Sequence, residues 1–430
     1  MSHPADTPAS EGPSLADTTR VWWKIGVLSF GGPAAQIALM HKEIVESRRW
    51  LTEQQFLNAL SFCMLLPGPE AMQLATYAGW RLHGILGGLI AGLLFVIPGA
   101  AVIMTLATIY ALLGDVPLVE SLFYGIKAAV LVIVVEALLR VSKKALSKRV
   151  HWMIAGLAFA GIFFLSIPFP LIVLLAALFG WLTASPETAP ETEAPRPVPT
   201  GRTIGTVAIW LGVWALPFLV LMVLDANPIL IEIGAFFSKL AVVTFGGAYA
   251  VLAYMAQDVV VEFGWLTAGE MVDALGLAET TPGPLILVTQ FVGFLAGFRE
   301  GGLPLGFAAA LVALWVTFAP CFLWIFVGAP YIDWISNQPR LRGALKAITA
   351  AVVGVILNLS IWFALHVLFA EVTRRGWGPL ALWSPTLSSV EWRAVVLFAL
   401  SCVLAFQLHW GIIRILGASS LLGIALGFLL

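Results

Sequence analysis

Lys24–Pro69, KIGVLSFGGPAAQIALMHKEIVESRRWLTEQQFLNALSFCMLLPGP, returns as Lys239–Pro284, KLAVVTFGGAYAVLAYMAQDVVVEFGWLTAGEMVDALGLAETTPGP, at a constant offset of 215 residues and without a gap. Phe30-Gly31-Gly32 becomes Phe245-Gly246-Gly247, Trp50-Leu51-Thr52 becomes Trp265-Leu266-Thr267, and Pro67-Gly68-Pro69 becomes Pro282-Gly283-Pro284. From Trp22/Phe237 to Pro69/Pro284, 17 of 48 aligned pairs are identical, so the chain is an internal duplication. Gly and Pro interruptions at corresponding places of two apolar segments point to a transporter's binding site, because broken helices leave backbone groups free at mid-membrane depth.

Composition fixes the surroundings of that duplication. A chain of 430 residues that is 60% hydrophobic and 11% charged, with a mean hydropathy of +0.96, has too little polar surface for a water-soluble globule. It reads as an all-α integral membrane protein with no room for a soluble catalytic domain. A net charge of -1 and a pI near 6.6 leave no basic footprint for nucleic acid. Cys63, Cys321 and Cys402 are far apart in apolar stretches and read as small buried hydrophobes, not as metal ligands or a redox pair. The six histidines form no ligand cluster and no dinucleotide-binding glycine motif follows a strand, so neither metal nor cofactor nor enzymatic activity is expected. The polar first 19 residues lack an apolar core, so no cleavable signal peptide is expected.

Apolar segments divide the chain. Residues 1–19 read as a disordered cytoplasmic tail and 20–184 as a first repeat with segments near 20–40, 56–83, 84–113, 117–140, 151–167 and 170–184. The Pro-rich stretch 185–203 reads as an exposed linker and 204–224 as an unpaired transmembrane helix. A second repeat, 229–430, holds segments near 229–256, 271–298, 303–328, 343–369, 391–409 and 411–430. If each repeat crosses the bilayer an even number of times, the single linking helix inverts the second repeat. Loop charge agrees: Arg140, Lys143, Lys144, Lys148 and Arg149 mark a cytoplasmic loop, and loop 41–55 holds Lys42, Arg48 and Arg49. Its counterpart 256–270 holds Asp258, Glu262 and Glu270 and no base. The expected arrangement is two inverted-topology repeats of about six membrane segments each, with the N-terminus cytoplasmic and the C-terminus outside. Arg374 and Arg375 fall outside, against that count.

Pro-Gly-Pro inside an apolar stretch cannot continue a helix. Pro69 and Pro284 suit the first position of a new one, so each break starts a helix inside the membrane, where free N–H groups and a partial positive charge attract an anion. The plainer alternative is a kink that only shapes packing. Gly31-Gly32 and Gly246-Gly247 read either as a backbone nest for an oxyanion or as close-packing faces. Lys24 and Lys239 are repeat equivalents, with Lys24 placed to snorkel and Lys239 placed as a counter-charge. Lys127 and Lys346 form a second matched pair, Lys127 ten residues into its segment, and Arg81 sits near a helix end. Glu70 and Glu279, beside the two breaks, are candidates for proton coupling or for helix capping. Gln36, Gln73, Thr280, Thr281 and Gln290 offer hydrogen bonds to oxygens or between helices, and Glu136 pairs with Arg140.

Phe30-Gly-Gly-Pro33-Ala-Ala-Gln-Ile, Trp50-Leu-Thr, Leu66-Pro-Gly-Pro-Glu70-Ala-Met-Gln73-Leu-Ala-Thr-Tyr-Ala-Gly79, Phe245-Gly-Gly-Ala-Tyr and Thr281-Pro-Gly-Pro284 together resemble the chromate ion transporter family in its long, two-domain form, over nearly the whole chain. The resemblance implies efflux of chromate from the bacterial cytoplasm across the inner membrane, driven by the proton gradient and conferring chromate resistance, with sulfate as isosteric competitor. A homodimer is compatible with this class. Physics supports a tetrahedral dianion bound by Lys and backbone N–H groups without choosing chromate over sulfate. The rival readings are a transporter of sulfate or another oxyanion and an oxyanion channel. The second repeat departs from the first where Pro33 becomes Ala248 and Glu70 becomes Leu285, which places the Glu-linked step in the first repeat.

Overall fold

A computed structural model describes residues 12–114, 116–184, 200–245, 248–332, 335, 338–378 and 380–429. Of the described residues, 83% are helical. The first half comprises α1 Leu15–Leu28, α2 Gly32–Met40 with a π-helical extension His41–Ser47, α3 Glu53–Cys63, α4 Glu70–Leu113, α5 Pro117–Ala145, α6 Arg149–Leu165 and α7 Phe169–Thr183. After α8, Thr200–Val223, the same order returns as α9 Pro228–Val243, α10 Ala248–Gln257, α11 Ala268–Thr280, α12 Val288–Gly328, α13 Pro339–Leu368, α14 Trp392–Cys402 and α15 Ile412–Leu429. Among the described residues, five helical stretches are long and apolar enough to cross a membrane, 70–113, 120–145, 201–223, 285–331 and 339–368. Ser14 caps α1, so that helix begins five residues before the apolar run that marks it in the sequence.

The repeated motifs build the same local structure twice. Thr52 accepts from the Gln55 N–H while the Gln55 side chain accepts from Thr52 N, and Thr267 and Glu270 form the same capping box. Trp50 N donates to Ile44 O at 2.8 Å and Trp265 N to Val259 O at 3.0 Å, which is how the Trp-Leu-Thr motif turns each hydrophilic loop into the next helix. α3 stops before Pro67-Gly68-Pro69 and α11 before Pro282-Gly283-Pro284, because the prolines remove donors and block the preceding turn.

α4 and α12 are helical hairpins. His83 and Gly84 leave helical geometry, Gly84 at φ +62°, and Gly301 and Gly302 do the same, Gly302 at φ +69°. Gly79 then lies against Gly87 and Thr76 against Gly92, while Gly297 lies against Ala309 and Gly293 against Ala313. The arms 70–82 and 285–300 thus run back along 85–113 and 303–328.

The two halves interlock instead of sitting side by side. α5 of the first half packs against α14 and α15 of the second, and α13 of the second packs against α6 and α7 of the first. Small residues allow it: Gly125 faces the Ser419 carbonyl, Gly423 faces Ser121, Gly180 faces Gly343, and Gly354 faces Ala155. α8 lies outside this exchange. It is held on α12 by Trp210 stacked on Phe322 at 5.5 Å and by Trp315 Nε1 donating to Val213 O at 2.8 Å, and its Ile209, Leu219, Met222 and Val223 face outward.

One element departs from an all-helical fold. Val372–Trp377 and Leu380–Pro385 form an antiparallel hairpin, β1–β2, that turns at Gly378 with φ +61°. Sequence periodicity placed nothing there. Arg374 lies over the Trp383 ring and donates to Ser166 Oγ at 2.6 Å, so this base, which opposed the charge count, belongs to a folded cap on α6.

A methyl group at Gly125 overlaps the Ser419 carbonyl, whereas one at Gly156 meets open space. Gly125→Ala should therefore destabilise the purified protein by about 1–3 kcal/mol, and Gly156→Ala should leave the thermal midpoint in detergent unchanged or slightly raised. Equal midpoints for the two variants would refute the close α5–α15 packing.

Candidate functional site

The two Pro-Gly-Pro breaks dock on each other's half. Gly68 N donates to Thr244 O at 2.9 Å, and Gly283 N donates to Ser29 O at 2.9 Å. Gly283 is Gly68 displaced by 215 and Thr244 is Ser29 displaced by 215, so the pair of bonds is reciprocal. The acceptors are built alike. Ser29 and Thr244 close α1 and α9 with hydroxyls that donate to Ile25 O and Leu240 O, and Phe30 N and Phe245 N each donate to the carbonyl two residues back at 2.9 Å. Gly68 at φ +113° and Gly283 at φ +89° hold backbone that a side chain would strain.

Buried amides tie the breaks together. Gln36 Nε2 donates to Gly283 O at 2.6 Å and to Ser29 O at 3.2 Å, and Gln73 Nε2 donates to Pro67 O at 2.6 Å. Gln290 Nε2 donates to Ala100 O at 3.1 Å. The Oε1 atoms of these three buried amides have no hydrogen-bond partner among the described residues. Thr289 and Thr317 hydroxyls meet at 3.3 Å, and Thr280 and Thr281 hydroxyls turn back to their own helix at Leu277 O and Ala278 O.

Among the described residues, helical segments begin here without side-chain caps at α2 after Gly31 at φ +86°, at α4 after Pro69, and after Pro284 at the turn Leu285–Leu287 that runs into α12. Uncapped N–H groups and the positive end of a helix favour negative charge. Phe30, Gly31 and Gly32 are partly buried, Pro67, Gly68 and Pro69 are buried, and so are Thr281, Pro282, Gly283 and Pro284. Phe245 is partly buried, and Gly246 and Gly247 lie outside the described residues.

The candidate cations separate. Lys24 is exposed and its Nζ lies 2.6 Å from Glu43, which also pairs with Arg48. Lys239 is exposed over the Tyr254 ring at 5.4 Å, near Asp258, the repeat equivalent of Glu43. Burial pushes the Glu43 carboxyl up, but hydrogen bonds from Lys24 and Arg48 outweigh it and hold Glu43 below its ordinary value. Phe263 replaces Arg48 in the second half, and there burial dominates and pushes Asp258 up. Arg81 and Lys346 are exposed. Of the four lysines in the two repeat pairs, Lys127 is the one that is partly buried.

Glu70 is the first residue of α4 and partly buried. Glu279 is buried near the end of α11. Lys127 meets an acid that motif reading passed over: its Nζ lies 3.2 Å from Asp273 Oδ2, which also accepts from Tyr110 Oη at 2.8 Å. The signal was present, since an acid inside the apolar run 271–298 is functional by default, and its repeat position is Asn58. Attention to residues identical between the repeats hid a residue that differs. Among the described residues no group of three or more His, Cys, Asp or Glu is placed to hold a metal ion.

A family model described as chromate transporter matches residues 16–181 and again 231–424. The chain is 29% identical over 357 residues to the chromate transport protein of Cupriavidus metallidurans, covering 82% of this chain and 83% of that one. It is 32% identical over 348 residues to the chromate transport protein of Pseudomonas aeruginosa, covering 77% of each. An uncharacterized transporter of Methanocaldococcus jannaschii is 27% identical over 357 residues, covering 83% of this chain and 86% of that one. No solved structure matches. With both halves matched by one model and relatives aligned over most of its length, this multi-pass membrane protein belongs to the chromate transporter family.

Proposed function

We propose that this chain exports chromate from the cytoplasm across the inner membrane, coupled to the proton gradient, through two inverted repeats that bind the oxyanion where their broken helices meet. The observation that carries the reading is the reciprocal docking of Gly68 on Thr244 and Gly283 on Ser29. Each break is held against the end of the first helix of the opposite half, with Gln36 bonded to the second break and Gln73 to the first. A tetrahedral dianion has four acceptor oxygens, and N–H groups held in fixed backbone satisfy them without side-chain rearrangement. Sulfate, of like shape and charge, competes for the same donors.

A basic groove lies at the loop end of α5. Arg140, Lys143 and Lys144 line it with His409 and with Glu136, which pairs with Arg140. Under cytoplasmic placement of this loop, the groove gathers anions from the cytoplasm and passes them toward the first break. Glu70 then carries the proton in the first repeat, where the second has Leu285. Glu279 takes the corresponding place beside the second break. Because α5 and α13 are exchanged between the halves, alternating access moves the interlocked bundles of α5–α14–α15 and α13–α6–α7 about the central hairpins.

Everted membrane vesicles containing the protein should accumulate chromate when a proton gradient is imposed, with excess sulfate reducing the uptake. Vesicles that take up no more chromate than controls would sink the proposal. Lys127→Met should abolish uptake with membrane insertion intact, whereas Lys239→Met, exposed beside Tyr254, should cut it by less than about tenfold (about 1.4 kcal/mol). Gly68→Ala and Gly283→Ala each force a side chain into left-handed backbone at a cost of about 1–3 kcal/mol. Both should lower uptake by about tenfold or more, and wild-type rates in both would place the oxyanion elsewhere.

A further inference from the structure

The two breaks are not fastened alike. At the second, Gln36 of α2 reaches across from the first half. Its Nε2 donates to Gly283 O at 2.6 Å and to Ser29 O at 3.2 Å, so it spans the two residues already joined by Gly283 N and Ser29 O. Gln290, in the first turn of α12, reaches the other way and donates to Ala100 O at 3.1 Å. Ala100 follows Gly99, where a methyl group would stand 2.1 Å from Pro282 O, so this bond also lies beside the second break. Both amides are 1% exposed, and the bonds from Gln36 to Gly283 and from Gln290 to Ala100 both cross between the halves.

The first break is built differently. Gly68 N donates to Thr244 O, but Gln73 Nε2 donates to Pro67 O of its own half. The positions equivalent to Gln36 and Gln290 are Val251 and Ala75, which carry no side-chain donor. Side-chain hydrogen bonds therefore tie the second break to the opposite half, and apolar residues stand in those places at the first. Two net hydrogen bonds shift a local opening equilibrium by about tenfold or more.

These amides are not placed to bind an oxyanion. A primary amide has two N–H donors, and Gln36 gives both to backbone carbonyls. What Gln36 and Gln290 leave over is Oε1, an acceptor without a partner among the described residues, which repels the oxygens of an anion. Their effect is on the backbone. On the reading of this chain as an oxyanion transporter, we propose that Gln36 and Gln290 are positioning residues that hold the second break shut against the first half, and that the first break, Gly68 on Thr244, is the contact that opens in transport. Glu70, which carries the proton step in that reading, directly follows the first break, whereas Leu285 follows the fastened one. Opening and the Glu70 proton step then fall at one place, with the second break as a fixed wall.

Hydrogen–deuterium exchange at the two glycines tests this without a substrate. Proline has no N–H, so each Pro-Gly-Pro holds a single amide, and Gly68 and Gly283 share the same neighbours and the same intrinsic exchange rate. In the purified protein Gly68 should exchange about tenfold faster than Gly283, since a bonded amide exchanges only when its contact opens. Gln36→Met keeps the length of the side chain and removes both donors. It should raise the Gly283 rate about fivefold or more and leave the Gly68 rate within about twofold. Equal wild-type rates, or a Gly283 rate untouched by Gln36→Met, overturn the proposal. Should that variant fail to fold, Gln290→Met should raise the same rate, and the wild-type comparison needs neither. In everted vesicles Gln36→Met should lower the maximal rate of chromate uptake about fivefold or more with KM unchanged within about twofold. A raised KM at an unchanged maximal rate would make Gln36 an anion ligand and overturn the proposal as well. Vesicles that carry no chromate while the exchange difference stands overturn the transporter reading, and with it the role in transport, but not the fastening of the second break.

Discussion

A backbone amide that leaves a helix inside a membrane has no water to turn to, and each unpaired one costs several kcal/mol. Much of this molecule follows from how two buried Pro-Gly-Pro breaks are resolved. Pro-Gly-Pro ends α3 and α11, and each freed glycine N–H finds a carbonyl at the end of a helix in the opposite half, Thr244 or Ser29. Neither half can complete its own break. The duplication is therefore not a pair of tandem domains but a mutual dependence, in which each repeat supplies the acceptor its twin lacks.

The same exchange recurs at larger scale. α5 rests on α14 and α15, and α13 on α6 and α7, with glycines at 125, 180, 343, 354 and 423 permitting close approach. A sequence half is consequently not a mechanical unit. A displacement of either sequence half alone would break the packing of α5 and α13, while the central hairpins α4 and α12 close on themselves at Gly84 and Gly302.

Much of this was legible before any coordinates. Repetition of Phe-Gly-Gly, Trp-Leu-Thr and Pro-Gly-Pro marks where helices begin and end, because Gly, Pro and capping Thr act locally. The exchange of α5 and α13 was not legible, since periodicity describes one helix face and names no partner. The β1–β2 hairpin escaped for a related reason: six-residue strands in a chain dominated by apolar helices carry little periodic signal. Among the candidate residues, sequence singles out the breaks and Lys127 and ranks Lys239 as the deeper counter-charge from its distance into an apolar run. In three dimensions Lys239 is exposed over Tyr254, while Lys127 is drawn in by Asp273.

What differs between the repeats is polar, and what is shared is mostly backbone. Gln36 faces the second break, but its equivalent is Val251; Gln73 braces the first, but its equivalent is Val288. Arg48 steadies Glu43, whereas Phe263 leaves Asp258 to the effect of burial. Asp273 answers Lys127, whereas Asn58 stands in the first repeat. Glycine, proline and capping positions must stay alike for both breaks to close, since a change at one strands an N–H at the other. Side chains beside the breaks carry no such reciprocal debt. A symmetric frame can therefore hold an asymmetric set of charges.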